Sequence, residues 1–161
     1  MKTQDMEKEF IEMVQQHDRI IYKVASFYAN VDSPLSDLYQ EVVLNLWKGF
    51  NSFRGDSKVS TWIYRIALNT CISFFRRQKR KPVYVEISKD IVAEKSNNED
   101  IKELYVLINR LGKLERALVL LYLDEKSYQE MADITGLSLS NVATKLSRIK
   151  NKLKQMSNEQ N

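Results

Sequence analysis

Apolar residues recur at intervals of three and four along most of the chain, which is the spacing of one face of an α-helix. This spacing first predicts one long helix, or a broken pair of helices, from Phe10 to Tyr28. Ser33 followed by Pro34 is typical of a helix start, with Ser33 as the cap. The helix that follows has one apolar side, which comprises Leu35, Leu38, Val42, Leu46 and Phe50.

A polar segment from residue 49 to 58 interrupts the apolar spacing, and Arg54-Gly55-Asp56-Ser57 within it has the composition of a turn. A third helix is predicted to begin near Ser60 or Thr61 and to end before Pro82, because proline cannot continue a helix. Two adjacent apolar stripes cover more than half of this helix and are predicted to be buried. They comprise Ile63, Ile66, Ala67, Thr70 and Phe74, and Tyr64, Leu68, Cys71 and Phe75.

The segment from residue 82 to 99 lacks helical spacing. Val83, Val85 and Ile87 alternate as in a β-strand, but no partner strand is visible and a polar, charged run follows, so a linker is favoured. Helical spacing resumes at residue 100 and breaks at Gly112. The sequence therefore predicts an all-α protein with two small helical domains, 1–81 and 100–161, joined by a linker, 82–99.

The C-terminal segment KSYQEMADITGLSLSNVATKLSRIKNKL predicts a helix-turn-helix. Ser127 with Glu130 three residues later fits a capping box at the start of a short helix. Gly136 supplies the positive φ of a tight turn, and a second helix follows with Ser138 or Ser140 as its cap. The apolar sides of the two helices comprise Met131, Ala132 and Ile134, and Val142, Leu146, Ile149 and Leu153.

The opposite face of this second helix is polar and basic. A helical hairpin with a solvated basic face is the alternative, but cap, turn and apolar stripe agree and favour DNA binding, with the second helix in a major groove. Asn141 and Thr144 lie early in the helix and would reach base edges. The cationic side chains would contact phosphates; they are Lys145, Arg148, Lys150 and Lys152.

The third predicted helix leaves an outward strip of Trp62, Arg65, Asn69, Ser73 and Arg76, which runs into the basic segment RRQKRK. An aromatic ring with cations and an amide suits single-stranded nucleic acid, because bases stack on the ring and cations follow the backbone. The alternative is that Trp62 packs against the preceding loop and that Arg65 makes an internal ion pair. This helix alone does not decide between the two interpretations.

Composition agrees with a helical globular protein. The 161 residues are 43% hydrophobic and 29% charged, and only 4 Gly and 2 Pro are present, which favours long helices. The single cysteine, Cys71, excludes an internal disulfide and points to a reducing compartment. No apolar run approaches the about 20 residues that span a bilayer, and the N-terminus lacks the apolar stretch of a signal peptide. We expect a cytoplasmic protein without membrane insertion.

Charge alternates along the chain although the net charge is only +4. Residues 1–41 carry four Lys/Arg against eight Asp/Glu, and residues 42–81 carry nine against one. Residues 82–135 carry seven against eleven, and residues 136–161 carry five against one. Each basic block could face a polyanion, and each acidic block could face a basic partner or simply be solvated.

The stretch DLYQEVVLNLWKGFNSFRGDSKVSTWIYRIALNTCISFFRRQKRK closely resembles the second conserved domain of bacterial RNA polymerase sigma factors. The segment LGKLERALVLLYLDEKSYQEMA with the helix-turn-helix after it resembles their fourth domain. The chain is most similar to the extracytoplasmic-function group, which keeps only these two domains. The resemblance extends from about Phe10 to Leu153 and includes the linker.

The resemblance implies a sigma factor that binds core RNA polymerase and promoter DNA, with an anti-sigma factor as a further partner. One set of residues lies in the helix that docks on the coiled-coil clamp helices of the largest polymerase subunit: Asp37, Leu38, Gln40, Glu41, Leu44 and Trp47. An acidic and apolar surface suits that basic and apolar partner.

The loop from residue 51 to 60 and the helix after it correspond to the part that melts the −10 element and captures a flipped base. The implied −10 contacts are Asn51, Phe53, Arg54, Lys58, Ser60, Thr61, Trp62, Arg65, Asn69, Arg76, Arg77, Lys79 and Arg80. The implied contacts to the −35 duplex are Ser127, Ser140, Asn141, Thr144, Lys145, Arg148 and Lys152. Ala143 stands where the family often has a basic residue, and Val59 where it often has an aromatic, which implies different promoter preferences.

Other classes of protein explain the sequence less well. A conventional helix-turn-helix repressor or activator gives no role to the basic block 42–81, and an all-α interaction module such as an anti-sigma partner explains neither basic block. No enzyme is predicted, since His17, the only histidine, lies in an acidic amphipathic helix and Cys71 on a buried stripe. There is no phosphate-binding loop, and neither a cofactor nor a metal is expected.

Overall fold

The computed structural model describes residues 2–53, 55–78 and 99–159, which form eight α-helices and no strand. The helices are α1 (Lys2–Gln16), α2 (Asp18–Tyr28), α3 (Leu35–Phe50), α4 (Val59–Gln78), α5 (Glu99–Ile108), α6 (Lys113–Leu123), α7 (Tyr128–Thr135) and α8 (Leu139–Glu159). The all-α prediction is therefore confirmed. The strand-like residues Val83, Val85 and Ile87, and the predicted linker apart from Glu99, lie outside the described residues.

The chain divides into two compact units, Met1–Val85 and Glu86–Asn161. In the first unit, α2, α3 and α4 pack against one another, and α1 packs against α3. Their fully buried side chains follow the predicted spacing and include Ile21, Val24, Leu38, Val42, Leu46, Ile63, Ala67 and Cys71. Removal of these apolar surfaces from water stabilises the three-helix core.

The first helical segment is a broken pair, one of the two predicted forms. The break is at His17, whose carbonyl accepts hydrogen bonds from the N–H groups of Ile20 (3.1 Å) and Ile21 (3.5 Å) at the start of α2. Its ring Nδ1 lies 3.0 Å from the carbonyl oxygen of Met13 in α1. His17 thus links the end of one helix to the start of the next.

The prediction that Ser33 caps α3 is wrong. Ser33 is fully buried, and the N-cap position belongs to Pro34, which makes no side-chain cap bond. Asn30 organises the turn instead, because its side-chain oxygen accepts the N–H groups of Asp32 (2.9 Å) and Ser33 (2.7 Å). The third helix also begins slightly earlier than predicted, at Val59.

In the second unit, α8 packs against α5, α6 and α7. The core between these helices contains fully buried residues such as Leu118, Leu121, Met131 and Val142. As predicted, Gly112 separates the first two helices of the unit, as the N-cap residue of α6. Within the described part of both units, no helix combines the length and the apolar character that crossing a bilayer requires.

Candidate nucleic-acid interface and apolar groove

The capping box at the start of α7 is confirmed. The Ser127 hydroxyl oxygen accepts the Glu130 N–H (3.1 Å), and the Glu130 carboxylate accepts the Ser127 N–H (3.5 Å). The Ser127 hydroxyl also donates to that carboxylate over 3.1 Å. Since these bonds satisfy N–H groups that the helix leaves unpaired, they fix the direction in which α7 leaves the preceding loop. Ser127 is exposed, and its predicted contact with −35 DNA stays a prediction.

The turn between α7 and α8 has the predicted geometry. Gly136 has φ +80°, a left-handed conformation that glycine adopts without the steric cost of a Cβ atom, and its N–H donates to the Ala132 carbonyl over 2.9 Å. The Ser138 hydroxyl oxygen accepts the Asn141 N–H over 3.2 Å, so Ser138 rather than Ser140 caps α8. Ser140 lies in the first turn of α8 and is exposed.

The two faces of α8 differ in burial as predicted. Val142, Leu146 and Ile149 are buried against the rest of the unit. Asn141, Thr144 and Arg148 are exposed, and Lys145 is half-buried. Within the part of the chain that the structure describes, neither Lys145 nor Arg148 is in an ion pair. The helix therefore presents two amide or hydroxyl groups and two cations on one outward surface.

Two further lysines of α8, Lys150 and Lys152, contact α6. The Lys150 ammonium lies 4.5 Å from the centroid of the Tyr122 ring, within the range of a cation–π interaction. The Lys152 ammonium lies 3.3 Å from Oε1 of Glu115, and that oxygen also accepts the Gly112 N–H (3.1 Å). The side chain of Lys152 is about half exposed, and its predicted DNA contact stays a prediction.

On α4, Arg65, Asn69 and Ser73 are exposed as predicted. The prediction that Trp62 belongs to this outward strip is wrong, because Trp62 is only 9% exposed and its ring stacks on Phe53, with centroids 4.8 Å apart and planes at 28°. The loop before α4 folds over the first turn of the helix, so a position that faces outward on an isolated helix is covered there.

Thr61, another predicted −10 contact, is buried with Trp62 in this first turn. The other predicted residues of the loop differ in exposure: Asn51 and Lys58 are exposed, and Phe53 and Ser60 are half-buried. Five predicted cations cannot be placed: Arg54, Lys79 and Arg80 lie outside the described residues, as do the side chains of Arg76 and Arg77.

An apolar groove of about 590 Å³ lies between α1 and α3. Three of the predicted polymerase-binding residues, Gln40, Leu44 and Trp47, line it. The rest of the lining was not predicted; it comprises Glu7, Phe10, Ile11, Tyr39 and Val43. The sequence offered one signal for this lining, the apolar residue Ile11 next to Phe10, since two adjacent residues of a helix cannot both face the same core. In the structure Phe10 is buried and Ile11 is 54% exposed.

The other three predicted polymerase contacts, Asp37, Leu38 and Glu41, do not line the groove. Leu38 is fully buried in the helical core, so the prediction that it belongs to an exposed surface is wrong. Glu41 lines a separate pocket of about 270 Å³ between α3 and α4, whose lining mixes polar residues such as Asn45 and Asn69 with the apolar Ile66 and Phe74. Asp37 is exposed in the first turn of α3.

Aromatic contacts hold the floor of the groove. The Phe10 ring meets Trp47 and Phe50 edge to face, with centroid distances of 5.0 Å and 5.4 Å. At the rim, the Tyr39 hydroxyl donates a hydrogen bond to Asp18. Burial, and then the hydrogen bond and the negative charge of Asp18, raise the pKa of Tyr39 to about 12. The Tyr39 hydroxyl therefore keeps its proton, and with it the ability to donate to Asp18, up to a higher pH than an ordinary tyrosine.

Family comparisons match both units. Residues 13–81 match the Sigma-70 region 2 family, and residues 101–153 match the Sigma-70, region 4 family. The RNA polymerase sigma factor YlaC of Bacillus subtilis is 37% identical over 130 residues, which cover 73% of this chain and 74% of YlaC. The ECF RNA polymerase sigma-E factor of Escherichia coli is 29% identical, with 92% of each chain covered. The ECF RNA polymerase sigma factor SigM of Mycobacterium tuberculosis is 24% identical, and the match spans only 65% of SigM.

Two solved structures share the fold. One is the sigma factor RpoE in complex with the anti-sigma factor NepR from Bartonella quintana, with a TM-score of 0.70 and 20% identity over 96% of this chain and 97% of that one. The other is CnrH in complex with the cytosolic domain of CnrY, with a TM-score of 0.69, 18% identity, and coverage of 96% and 91%.

Proposed function

The chain belongs to the ECF sigma factors of bacterial RNA polymerase, and from this we propose that it binds core polymerase in the cytoplasm and directs transcription initiation at a subset of promoters. The observation that carries this proposal is that sigma regions 2 and 4 occur in one chain, each on its own compact helical unit. In this role the protein is a specificity subunit and not itself an enzyme.

The second unit reads the −35 element as duplex DNA. Asn141 and Thr144 are exposed in the first turns of α8, where polar side chains of a recognition helix reach base edges. Lys145 and Arg148 follow on the same side and contact phosphates, which fix the register of the helix on the duplex. The contacts of Lys150 and Lys152 with α6 support a different role, that of holding α8 in place.

The first unit melts the −10 element and captures an unpaired base. Asn51 and Lys58 of the α3–α4 loop, and Arg65 and Asn69 of α4, are exposed and offer amides and cations to a single strand. Extrusion of a base costs a few kcal/mol of unstacking, and a loop of fixed shape recovers part of that cost through contacts that need no further ordering.

The groove between α1 and α3 docks the polymerase. Its apolar lining includes Leu44, which is 46% exposed, and the acidic residue Glu7 lies beside it. A basic and apolar helical partner, such as the clamp helices of the largest subunit, would cover this surface. An anti-sigma factor is the expected competitor, in agreement with the complex of RpoE with the anti-sigma factor NepR.

Run-off transcription tests the proposed function. Core polymerase is incubated with a genomic promoter library, with and without the protein, and the RNA 5′ ends are mapped. We expect new start sites at a limited set of promoters that share −35 and −10 sequences. Identical start sites in both reactions would contradict the proposal, provided that a known sigma factor activates the same core preparation.

A further inference from the structure

The α3–α4 loop, residues 51–58, has one large apolar side chain, Phe53. The other described side chains of the loop, apart from the half-buried Ser57, are exposed. Backbone bonds hold the start of the loop against α3, from Ser52 N–H to the Gly49 carbonyl (3.0 Å) and from Phe53 N–H to the Phe50 carbonyl (3.3 Å). Phe53 is therefore the apolar attachment of the loop to the helical core.

That attachment is made to Trp62. Trp62 is buried; its ring stacks on Phe53, and its Cζ2 atom lies against the last turn of α3, 3.4 Å from where a Cβ atom at Gly49 would be. At the other end of the loop, the backbone N–H of Trp62 donates to the Lys58 carbonyl over 3.1 Å, as the first turn of α4 requires. The indole of Trp62 thus contacts the one large apolar side chain of the loop and the end of α3 from which the loop leaves.

We propose that Trp62 is a positioning residue for base capture: its ring holds Phe53, and through Phe53 the α3–α4 loop, in the shape that receives the unpaired −10 base. The inference rests on the proposed function, and it excludes a direct base contact by Trp62. A polar loop that loses its apolar attachment samples more conformations, and ordering them again on binding lowers the affinity for DNA. Because the effect passes through Phe53, loss of either ring has the same consequence.

A double-mutant cycle on the full chain with core polymerase tests this inference. The variants are Trp62→Leu, Phe53→Leu and both together, and the readouts are binding of a single-stranded −10 oligonucleotide and permanganate reactivity of promoter thymines. We expect each single variant to lose about five- to tenfold in oligonucleotide affinity, and the double variant to lose no more than either single one. Trp62→Phe keeps an aromatic face and should stay within about twofold of the unaltered protein.

Two controls separate positioning from general destabilisation. Val42→Ala removes volume from the fully buried side of α3, more than two helical turns before the loop. At a temperature where this variant is fully folded, it should bind the oligonucleotide normally. The affinity of the Trp62 and Phe53 variants for a −35 duplex should also be unchanged, since that duplex is bound by the other unit. In a Trp47→Phe background, acrylamide should quench Trp62 fluorescence more strongly after Phe53→Leu, which reports the loss of the stack without any DNA.

Four outcomes would overturn the inference. The first is that the losses of oligonucleotide affinity add in the double variant, and the second is that Trp62→Phe loses as much affinity as Trp62→Leu. The third is that Phe53→Leu binds the oligonucleotide normally while Trp62→Leu does not. The fourth is that Val42→Ala loses as much affinity as the Trp62→Leu and Phe53→Leu variants. The third outcome would return Trp62 to a direct base contact. If the unaltered protein with core polymerase neither binds the oligonucleotide nor opens the promoter, the proposed function fails together with the inference.

Discussion

At the scale of single residues, the burial of Cys71 makes the stability of the fold depend on pH. Burial raises the pKa of its thiol from an ordinary 9.0 to about 12, so the folded chain keeps a proton that the unfolded chain loses above pH 9.0. The stability that this group contributes is fully present below pH 9.0 and is lost as pH rises toward 12. Since one proton per molecule is involved, the free energy of unfolding should fall by up to about 1.4 kcal/mol per pH unit.

Urea unfolding at several pH values between 9 and 10 measures this slope. Cys71→Ala should lower the free energy of unfolding at every pH because of the cavity, but it should flatten the slope. Tyr39, whose pKa is raised from 10.0, contributes chiefly above this window. An equal slope in Cys71→Ala and the unaltered protein would contradict the assignment.

Ser127 is the residue on which the start of α7 depends. Ser127→Ala removes the acceptor of the Glu130 N–H and should lower the free energy of unfolding of the second unit by about 1 kcal/mol. Ser147→Ala, an exposed change in the interior of α8, should be neutral or slightly stabilising because alanine favours helices. Equal stability of the two variants in urea unfolding would mean that the capping box is not significant.

Individual residues also show which features could be predicted from the sequence and which could not. Local signals act over three or four residues, so Ser127, Gly136 and the buried stripe of α8 could be predicted correctly. Trp62 and Leu38 were misplaced on exposed surfaces for different reasons. Trp62 is covered by a loop whose path no local pattern specifies, whereas the apolar spacing of α3 already favoured a buried Leu38 over the position that the family resemblance implied.

At the scale of elements, α8 places Lys145 and Arg148 on its outward surface and Lys150 and Lys152 against α6. Arg148→Ala should reduce the dependence of −35 duplex affinity on salt by about 0.9 units of slope, because one phosphate contact and its released counterion are lost. Lys150→Ala removes an equal charge from the same helix but from the side that faces Tyr122, and it should leave the slope unchanged. Fluorescence anisotropy titrations over a range of salt concentrations measure both slopes. Equal slopes for the two variants would refute this separation.

The groove between α1 and α3 is an element-scale feature that periodicity alone could not reveal. Phe10 and Trp47 are far apart in sequence and meet only because the two helices pack together. Sequence patterns predicted each helix, and the family resemblance implied one wall of the groove, but the contribution of α1 depends on tertiary packing.

Leu44→Arg tests the groove as the polymerase site. The substitution places a charge on the apolar lining and should weaken binding to core polymerase by about tenfold or more, since a central apolar contact is lost. Val31→Arg is the matched control, because Val31 is 73% exposed in the same unit and does not line the groove. Co-purification with core polymerase should fail for the first variant and persist for the second. Equal recovery of both would place the docking surface elsewhere.

At the scale of the whole molecule, two helical units carry different surfaces. The first combines a groove lined mainly by apolar residues with a basic helix, and the second is a helix-turn-helix with a basic outward face. Along the sequence, each unit begins with an acidic block and ends with a basic one. Because each unit is built from helices with clear apolar periodicity, the fold class was predictable from sequence, whereas the boundary 82–99 remains a prediction.

Permanganate footprinting of one promoter activated in the run-off assay tests the sigma-factor proposal most directly. Thymines of the −10 element should become reactive only when core polymerase and this protein are both present. With a scrambled −35 element, or with the Leu44→Arg variant, the reactivity should fall to the background of core polymerase alone. Unreactive −10 thymines in the presence of a bound holoenzyme would contradict a role in promoter opening.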